Sequence, residues 1–173
     1  IDLMVNATPE EKDIIIGQCY FFRAYFHSEI IKFWGRFPYI DRVLSDEYNL
    51  TRPDTYKETA LRINEDYEKA IALLPVYWDD VILGGEAGGK TEGKNGSRIT
   101  KGAVYAMQGK NLLIAASPLM NGTTDTYNYD KELCEMAIVA FSNVLKLADE
   151  GVYGLVPWEN IDEVFWDNSS GYP

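Results

Sequence analysis

Four stretches of the chain carry apolar residues at helical spacing, and residues typical of helix boundaries flank them. The first follows Thr8-Pro9-Glu10-Glu11, where a capping threonine, a first-turn proline and a glutamate three residues after the cap form a capping box. It runs to about Trp34, and Gly35 can take the positive φ of a helix end. Because this stretch is apolar on nearly every face, we interpret it as the central helix of a bundle.

The second stretch begins at Thr55-Tyr56-Lys57-Glu58, which also has the spacing of a capping box, and ends at Pro75. Between them, apolar residues recur at the spacing of one buried helical stripe. This stripe consists of Ile63, Tyr67, Ala70, Ile71 and Leu74.

The third stretch predicts a helix from about Lys101 to Ala116, capped by Thr100 and stopped by Pro118. Glycine in a helix costs up to about 1 kcal/mol relative to alanine, so Gly102 and Gly109 suggest close approach by neighbouring helices. We therefore expect an inner helix of an α-helical assembly.

The fourth stretch starts near Asp130 and finishes before Gly151, with apolar residues on one face. The four helices form two hairpin pairs, and the spacing Gly17-x-x-Tyr20-x-x-Arg23-Ala24 recurs as Gly102-x-x-Tyr105-x-x-Gln108-Gly109. Small-residue first helices followed by amphipathic second helices are typical of tetratricopeptide (TPR) hairpins. The sequence thus predicts an all-α fold of TPR-like helical hairpins with long loops. The stripe of the fourth helix consists of Leu133, Ala137, Ala140, Val144 and Leu147.

Composition, charge and hydropathy argue against nucleic-acid binding and against a membrane-spanning helix. Hydrophobic residues are 46% and charged residues 25%, values of an ordinary globular chain. The net charge of -11 argues against a nucleic-acid partner, since that affinity comes largely from Lys and Arg on phosphates. Within the first helical stretch, the longest uncharged run, Ile14 to Phe22, is too short for a membrane span. We expect residues 1–173 to form a single helical region that is part of a longer protein.

Few residues suggest catalysis. His27 is the sole histidine, and without a nearby Cys or carboxylate partner we interpret it as a hydrogen-bonded structural residue. Arg23, set among aromatic residues, is interpreted as an internal ion-pair or stacking residue. Cys19 and Cys134 have no metal-ligand spacing, so we expect buried free thiols. With no catalytic dyad, triad or metal cluster, the sequence predicts a protein that is not an enzyme and needs no cofactor.

The segment Gly84 to Thr91 formally matches the phosphate-loop pattern GxxxxGK[ST]. A phosphate loop requires a helix that starts at the lysine, and the following Glu92 to Gly96 does not favour one. We interpret the segment as a flexible loop.

Several blocks resemble one family. The runs Gly96-Ser97-Arg98-Ile99-Thr100-Lys101-Gly102-Ala103 and Leu112-Leu113-Ile114-Ala115-Ala116-Ser117-Pro118-Leu119-Met120-Asn121 resemble the G-R-x-T-K-G-A-A…L-L-x-A-A-S-P-L-x-N signature of the SusD/RagB family of surface glycan-binding lipoproteins. Three further blocks resemble the family in the same order: Phe21 to Phe26, Trp34 to Ile40, and Tyr67 to Pro75.

The resemblance implies a TPR-like scaffold held by a lipidated cysteine at the outer membrane of a Bacteroidota cell, facing outward. It also implies a SusC-type TonB-dependent transporter as partner, to which the protein delivers captured oligosaccharide or polysaccharide without making or breaking bonds. Two alternatives remain open at this point. One is capture of peptides for the same kind of transporter, and the other is a TPR-type adaptor that binds a partner protein.

The matched motif residues are scaffold residues, so no binding site transfers with them. From the sequence itself we predict a ligand site at Tyr77, Trp78 and Asp79, because an aromatic platform beside a carboxylate can stack a sugar ring and accept from its hydroxyls. The alternative is that Trp78 closes the end of the helix pair. Trp158 and Trp166 are interpreted as packing residues.

Overall fold

A computed structural model describes residues 4–46, 48–78, 81, 98–122 and 125–162 of the chain. Within these ranges the regular structure is helical and no strand is present, which confirms the predicted all-α class. None of the helices in the described ranges has both the length and the hydropathy that a membrane crossing requires. The α-helices are α1 (Pro9–Trp34), α2 (Tyr56–Leu73), α3 (Lys101–Ala116), α4 (Pro118–Asn121) and α5 (Lys131–Asp149), and a 3₁₀ turn follows at Trp158–Asn160.

The helix starts are those that the sequence predicts, with one difference. Thr8 and Glu11 form the complete capping box at the start of α1. At the start of α2, the Thr55 hydroxyl accepts from the Glu58 N–H at 3.2 Å, as predicted. The reciprocal bond of that capping box, from the Thr55 backbone N–H to the Glu58 carboxylate, was predicted wrongly. The Glu58 carboxylate accepts instead from the Thr55 hydroxyl at 3.0 Å.

The long helices stack in chain order: α1 packs on α2, α2 on α3, and α3 on α5. The predicted inner position of α3 is confirmed, since it is covered by α2 on one side and by α5 on the other. The core lies between these layers. Its largest fully buried apolar side chains are Tyr67, Ile31, Ile63, Leu74, Leu112, Leu133 and Val104.

The two glycines of α3 lie at close contacts, as the sequence predicts. A Cβ atom at Gly109 would lie 2.7 Å from the ring of Phe141 on α5. A Cβ atom at Gly102 would lie still closer to the ring of Tyr153, in the segment after α5. Since real Cβ contacts are longer than this, both sites exclude larger residues and let the second hairpin close tightly.

The repeat seen in the sequence has a structural counterpart in the two hairpins. A Cβ atom at Gly17 on α1 would lie 3.0 Å from Cβ of Leu73, the last residue of α2. Gly102 on α3 meets Tyr153 just beyond α5 in the corresponding way. In each hairpin a glycine of the first helix lies against a side chain at or just beyond the end of the second, which fits a TPR-like scaffold.

The prediction that α1 is the central helix of a bundle is wrong in the part of the chain that is described. Helix α1 packs chiefly on α2, at one edge of the stack, so the other faces of this all-round apolar helix remain exposed. Cys19 is exposed for the same reason, contrary to the predicted burial, and Cys134 is half-buried; both are free thiols. The exposed aromatic residues of α1 are Phe22, Phe26, Phe33 and Trp34.

The Ser117 to Asn121 part of the signature builds a tight turn. Pro118 begins the single turn α4, which the sequence pattern had not separated from the loop. The Asn121 amide donates to the carbonyl oxygens of Ala116 at 3.2 Å and Asn128 at 3.0 Å. These bonds tie the end of α3 to the segment that leads into α5.

Candidate functional site

The antiparallel helices leave two ends with different chemistry. We call the end formed by the start of α1, the end of α2, the start of α3 and the end of α5 the loop end. There the Lys101 N–H donates to the Pro75 carbonyl at 2.8 Å. The hydroxyls of Thr100 and Tyr153 lie 2.6 Å apart, so the start of α3 is held to the segment after α5.

The site predicted from the sequence lies at the loop end. The Trp78 ring is only 4% exposed, its Nε1–H donates to the Ile99 carbonyl at 2.9 Å, and the Arg98 guanidinium lies 5.1 Å from the ring centre. Trp78 thus closes the end of the helix pair. Tyr77 is 45% exposed, and Asp79 lies outside the described residues. The ligand-binding role of Tyr77, Trp78 and Asp79 stays a prediction.

Trp158 is not a packing residue in the described part of the chain. Its side chain is 83% exposed on the 3₁₀ turn beyond α5, so that prediction is wrong. None of the described residues from Gly151 to Asp162 is buried, so Trp158 lies in a surface segment. Trp166 lies outside the described residues.

A charged cluster joins α1 to α2. The guanidinium of Arg23 donates from Nε and Nη2 to the Asp66 carboxylate, the second bond at 2.8 Å, and the Tyr39 hydroxyl donates to the same carboxylate. Burial opposes ionisation of Asp66, but these hydrogen bonds outweigh it and hold its pKa below the usual value. For Tyr39, burial and then the bond to Asp66 raise the pKa. The structural ion-pair role predicted for Arg23 is confirmed.

His27 is held at both ring nitrogens by backbone groups. Nδ1 lies 2.8 Å from the Arg23 carbonyl, and the Ile40 N–H donates to Nε2 at 3.0 Å. Since a carbonyl only accepts, Nδ1 carries the proton and Nε2 is the acceptor of a neutral ring. Burial lowers the His27 pKa, which favours that neutral form. The predicted structural role of His27 is confirmed.

The opposite end, which we call the turn end, is formed by the end of α1, the start of α2, α4 and the start of α5. An open cleft of about 610 Å³ lies there, and we call it the Trp34 cleft. Ligand sites commonly have volumes of about 300–1,000 Å³. Its lining residues are Trp34, Gly35, Arg36, Arg52, Asp54, Thr55, Tyr56, Lys57, Leu119, Met120, Asn121, Gly122 and Asp130.

Trp34 is the largest exposed ring of this cleft, at 69% exposure. The buried Tyr56 also lines it, and burial raises the pKa of Tyr56 to about 12. The Leu119 side chain is exposed as well. An indole and an apolar side chain beside polar groups form the type of surface on which the C–H faces of sugars and apolar side chains pack.

The cations of the Trp34 cleft differ in their partners. Lys57 Nζ donates to Asp130 at 2.9 Å and to Glu132 at 2.6 Å, and these bonds, to Glu132 first, raise the lysine pKa. Arg36 donates from Nη1 to the backbone carbonyl of Asp54 at 2.8 Å. Within the described residues, neither Arg36 nor Arg52 pairs with a carboxylate. Lys57 is therefore neutralised, whereas the two guanidinium groups are not.

A second open cleft, of about 710 Å³, shares the wall Arg52 and Asp54 with the first. Its other side carries Arg62, which pairs with Asp41 at 3.2 Å. Across the described ranges, no group of three or more His, Cys, Asp or Glu side chains is placed to hold a metal ion.

Sequence reasoning missed the Trp34 cleft. Trp34 is the last residue of α1 and precedes Gly35, which has φ of 69°. Trp34 therefore lies at the end of the first helix of the hairpin, where its ring is exposed. The helix-end position of Trp34 can be seen in the sequence, but the interpretation of α1 as the centre of a bundle predicted a covered ring.

The fold defines the class of protein, which is a TPR-like scaffold of two stacked helical hairpins with aromatic residues at its ends. Residues 2–86, about half of the chain, match the profile of a family described as "SusD-like_3: Starch-binding associating with outer membrane". The chain is SusD-like, and the resemblance predicted from the sequence is confirmed.

Solved structures extend the similarity beyond the matched half. A SusD-like protein (BF3747) from Bacteroides fragilis NCTC 9343 shares 25% identity with a TM-score of 0.69, over 96% of this chain and 27% of its own. The protein BT4246 shares 25% identity with a TM-score of 0.61, over 82% of this chain and 25% of its own. The chain thus spans about a quarter of the length of these structures. No curated protein matches the chain.

Proposed function

We propose that this protein binds saccharides at the outer surface of the outer membrane and delivers them to a SusC-type TonB-dependent transporter. The observation that carries this proposal is the match of residues 2–86 to a family described as starch-binding and associating with the outer membrane. The likeness of the fold to SusD-like proteins over almost the whole chain supports it.

Binding without bond making or breaking is part of the proposal. Sugar recognition needs an exposed aromatic face, which packs on the C–H groups of a pyranose ring, and neighbouring acceptors or donors for its hydroxyls. At the loop end, Tyr77 presents such a face in the segment after α2. We propose that Trp78, whose ring is packed inside, holds Tyr77 in place, and that the Asp79 carboxylate accepts from sugar hydroxyls.

Membrane attachment is supported by the family description, and the transporter partner is supported by the resemblance of the sequence to the SusD/RagB family. We propose a lipid anchor that holds the intact protein at the outer membrane, and a transporter over which the protein lies. Co-purification of the intact protein with a TonB-dependent barrel from detergent-solubilised outer membranes tests this part. Its recovery in a fraction without such a barrel would count against delivery, though not against saccharide binding.

Affinity electrophoresis of the intact protein through gels that contain single polysaccharides tests the binding. We expect retardation by at least one polysaccharide, and weaker retardation of Tyr77→Ala. Tyr48→Ala is a matched control, because Tyr48 is an exposed tyrosine that lies outside the loop end. Equal retardation of Tyr77→Ala and wild type would move the site away from Tyr77.

Titration with peptides distinguishes peptide capture from saccharide binding. Calorimetric titration with defined peptide mixtures is expected to give no saturable heat. Saturable heat with peptides, together with the absence of retardation by any polysaccharide, would replace saccharide binding by the peptide alternative.

A further inference from the structure

We propose that the Trp34 cleft at the turn end is a second saccharide-binding site, and that it takes sugars that carry a carboxylate, such as uronic acid residues. The inference rests on the proposed function and adds a site and a ligand class to it. The cleft lies at the opposite end of the hairpins from Tyr77, so the two sites are separate.

Within the described residues, the Trp34 cleft carries cations that no carboxylate neutralises. The whole chain carries a net charge of -11, so an anionic ligand needs a place where cations are left without carboxylate partners. Lys57 is neutralised in this way by Asp130 and Glu132. In the described part of the chain, Arg36 and Arg52 line the cleft without a carboxylate partner.

The two guanidinium groups of the cleft have N–H donors left for a ligand. Arg36 is oriented by its bond from Nη1 to the Asp54 carbonyl, which leaves further N–H donors for a ligand. Arg52 makes no hydrogen bond or ion pair to any described residue, so its donors are available too. Guanidinium groups bind carboxylates through two parallel hydrogen bonds, a geometry that lysine does not offer. The Asp54 carboxylate also lines the cleft, and it disfavours an anion placed on its own side.

The Trp34 indole adds an apolar surface to the cleft. A small carboxylate would need only the arginines, but the same cleft exposes the Trp34 indole and the Leu119 side chain. An indole beside unpaired guanidinium groups matches a molecule with an apolar C–H face and a carboxylate at its edge. A uronic acid ring has both.

The probes for the test are three uronate polymers, namely polygalacturonate, alginate and heparosan, each set against a neutral polysaccharide. Calorimetric titration of the intact protein with oligosaccharides of these polymers is expected to show saturable binding of at least one uronate. We expect rising salt to weaken that binding, since charged hydrogen bonds at an open surface are screened.

Four variants locate the binding. Arg36→Gln and Arg52→Gln are each expected to weaken uronate affinity by about tenfold, the scale of one lost charged hydrogen bond. Trp34→Ala is expected to weaken it as well, while Arg36→Lys restores part of the loss. Matched controls are Lys131→Gln, which removes an exposed charge at the start of α5, and Phe33→Ala, which removes the neighbouring exposed ring; neither residue lines the cleft.

The outcomes separate this inference from the proposed function. Binding of neutral polysaccharides without binding of any uronate overturns the inference and leaves the proposed function intact. Uronate binding that both arginine variants retain at wild-type strength also overturns it, because the site would then lie elsewhere. If no saccharide binds at all, the proposed function fails and the inference fails with it.

Discussion

Asp66 on α2 accepts two hydrogen bonds from the guanidinium of Arg23 on α1, and this pair joins the two helices of the first hairpin. The Asp66 side chain is 2% exposed and that of Arg23 is 29% exposed, so the pair is shielded from solvent on the carboxylate side. Tyr39 and Lys69 also donate to Asp66, and with Arg23 they supply the donors that a buried carboxylate requires.

Removal of that carboxylate is expected to be costly. Asp66→Ala leaves the Arg23 guanidinium and the Tyr39 hydroxyl without their acceptor, and breaking a buried pair on one side costs about 3–5 kcal/mol. Urea unfolding measures the change. Asp41→Ala is the matched control, since the Asp41–Arg62 pair is exposed and is expected to contribute less than about 1 kcal/mol. Equal losses in the two variants would contradict the structural role of Asp66.

One contribution to the pH dependence of stability comes from His27. Its pKa is lowered by burial, so the unfolded chain, with a histidine pKa of about 6.5, binds the proton more readily than the folded chain does. Stability from His27 is therefore fully present above about pH 6.5 and is lost as pH falls through the lower folded pKa. Because His27 is the sole histidine of the chain, His27→Asn removes the imidazole titration from both the folded and the unfolded protein and leaves the carboxylates unchanged.

Unfolding free energies of wild type and His27→Asn, measured from about pH 5 to pH 8, test this sign. We expect the difference between the two proteins to shrink as pH falls. A difference that stays constant or grows toward low pH would show that the folded state favours the imidazolium instead.

Gly109→Ala is expected to destabilise the protein although alanine is the better helix former. The helix propensity gain is about 1 kcal/mol, whereas the new Cβ would lie 2.7 Å from the Phe141 ring, and overpacking costs about 1–3 kcal/mol. Phe141→Leu in the same chain should recover part of the loss. Gly154→Ala is the control, because no heavy atom lies within 4 Å of its Cβ position. A stabilised Gly109→Ala variant would contradict the close approach of α3 and α5.

Trp78 and Tyr77 are neighbours in sequence with opposite environments, and their variants should separate stability from binding. Trp78→Ala removes a buried ring and its bond to Ile99, so we expect a loss of about 3–5 kcal/mol. Tyr77→Ala is expected to change stability by less than about 1 kcal/mol, because its ring is already 45% exposed. Thermal unfolding distinguishes the two, and a large loss for Tyr77→Ala would place that ring in the core as well.

The helices and their boundaries could be predicted because the signals are local. Caps at Thr8, Thr55 and Thr100, and the stop at Pro118, depend on residues within one turn of each other. The place of α1 could not be predicted this way. An apolar surface on all sides indicates that a helix has partners, but it does not say which faces the rest of the chain covers.

The site was harder to predict for a related physical reason. The exposure of an aromatic ring depends on the neighbours that the fold brings to it, so adjacent Tyr77 and Trp78 differ in burial although both looked like stacking residues. The polar contacts between helices are equally non-local. Gln108 on α3 donates to buried Asn64 on α2 at 2.9 Å across 44 positions of sequence, and no local pattern indicates that pair.

Saccharide binding without turnover is the central claim, and equilibrium titration with subsequent analysis of the ligand tests it most directly. The intact protein is titrated calorimetrically with an oligosaccharide from the polysaccharide that retards it most, and the ligand is then recovered and its chain length determined. We predict a saturable heat and a recovered ligand of unchanged length. Shortened products, or the absence of saturable heat with every saccharide, would contradict the claim.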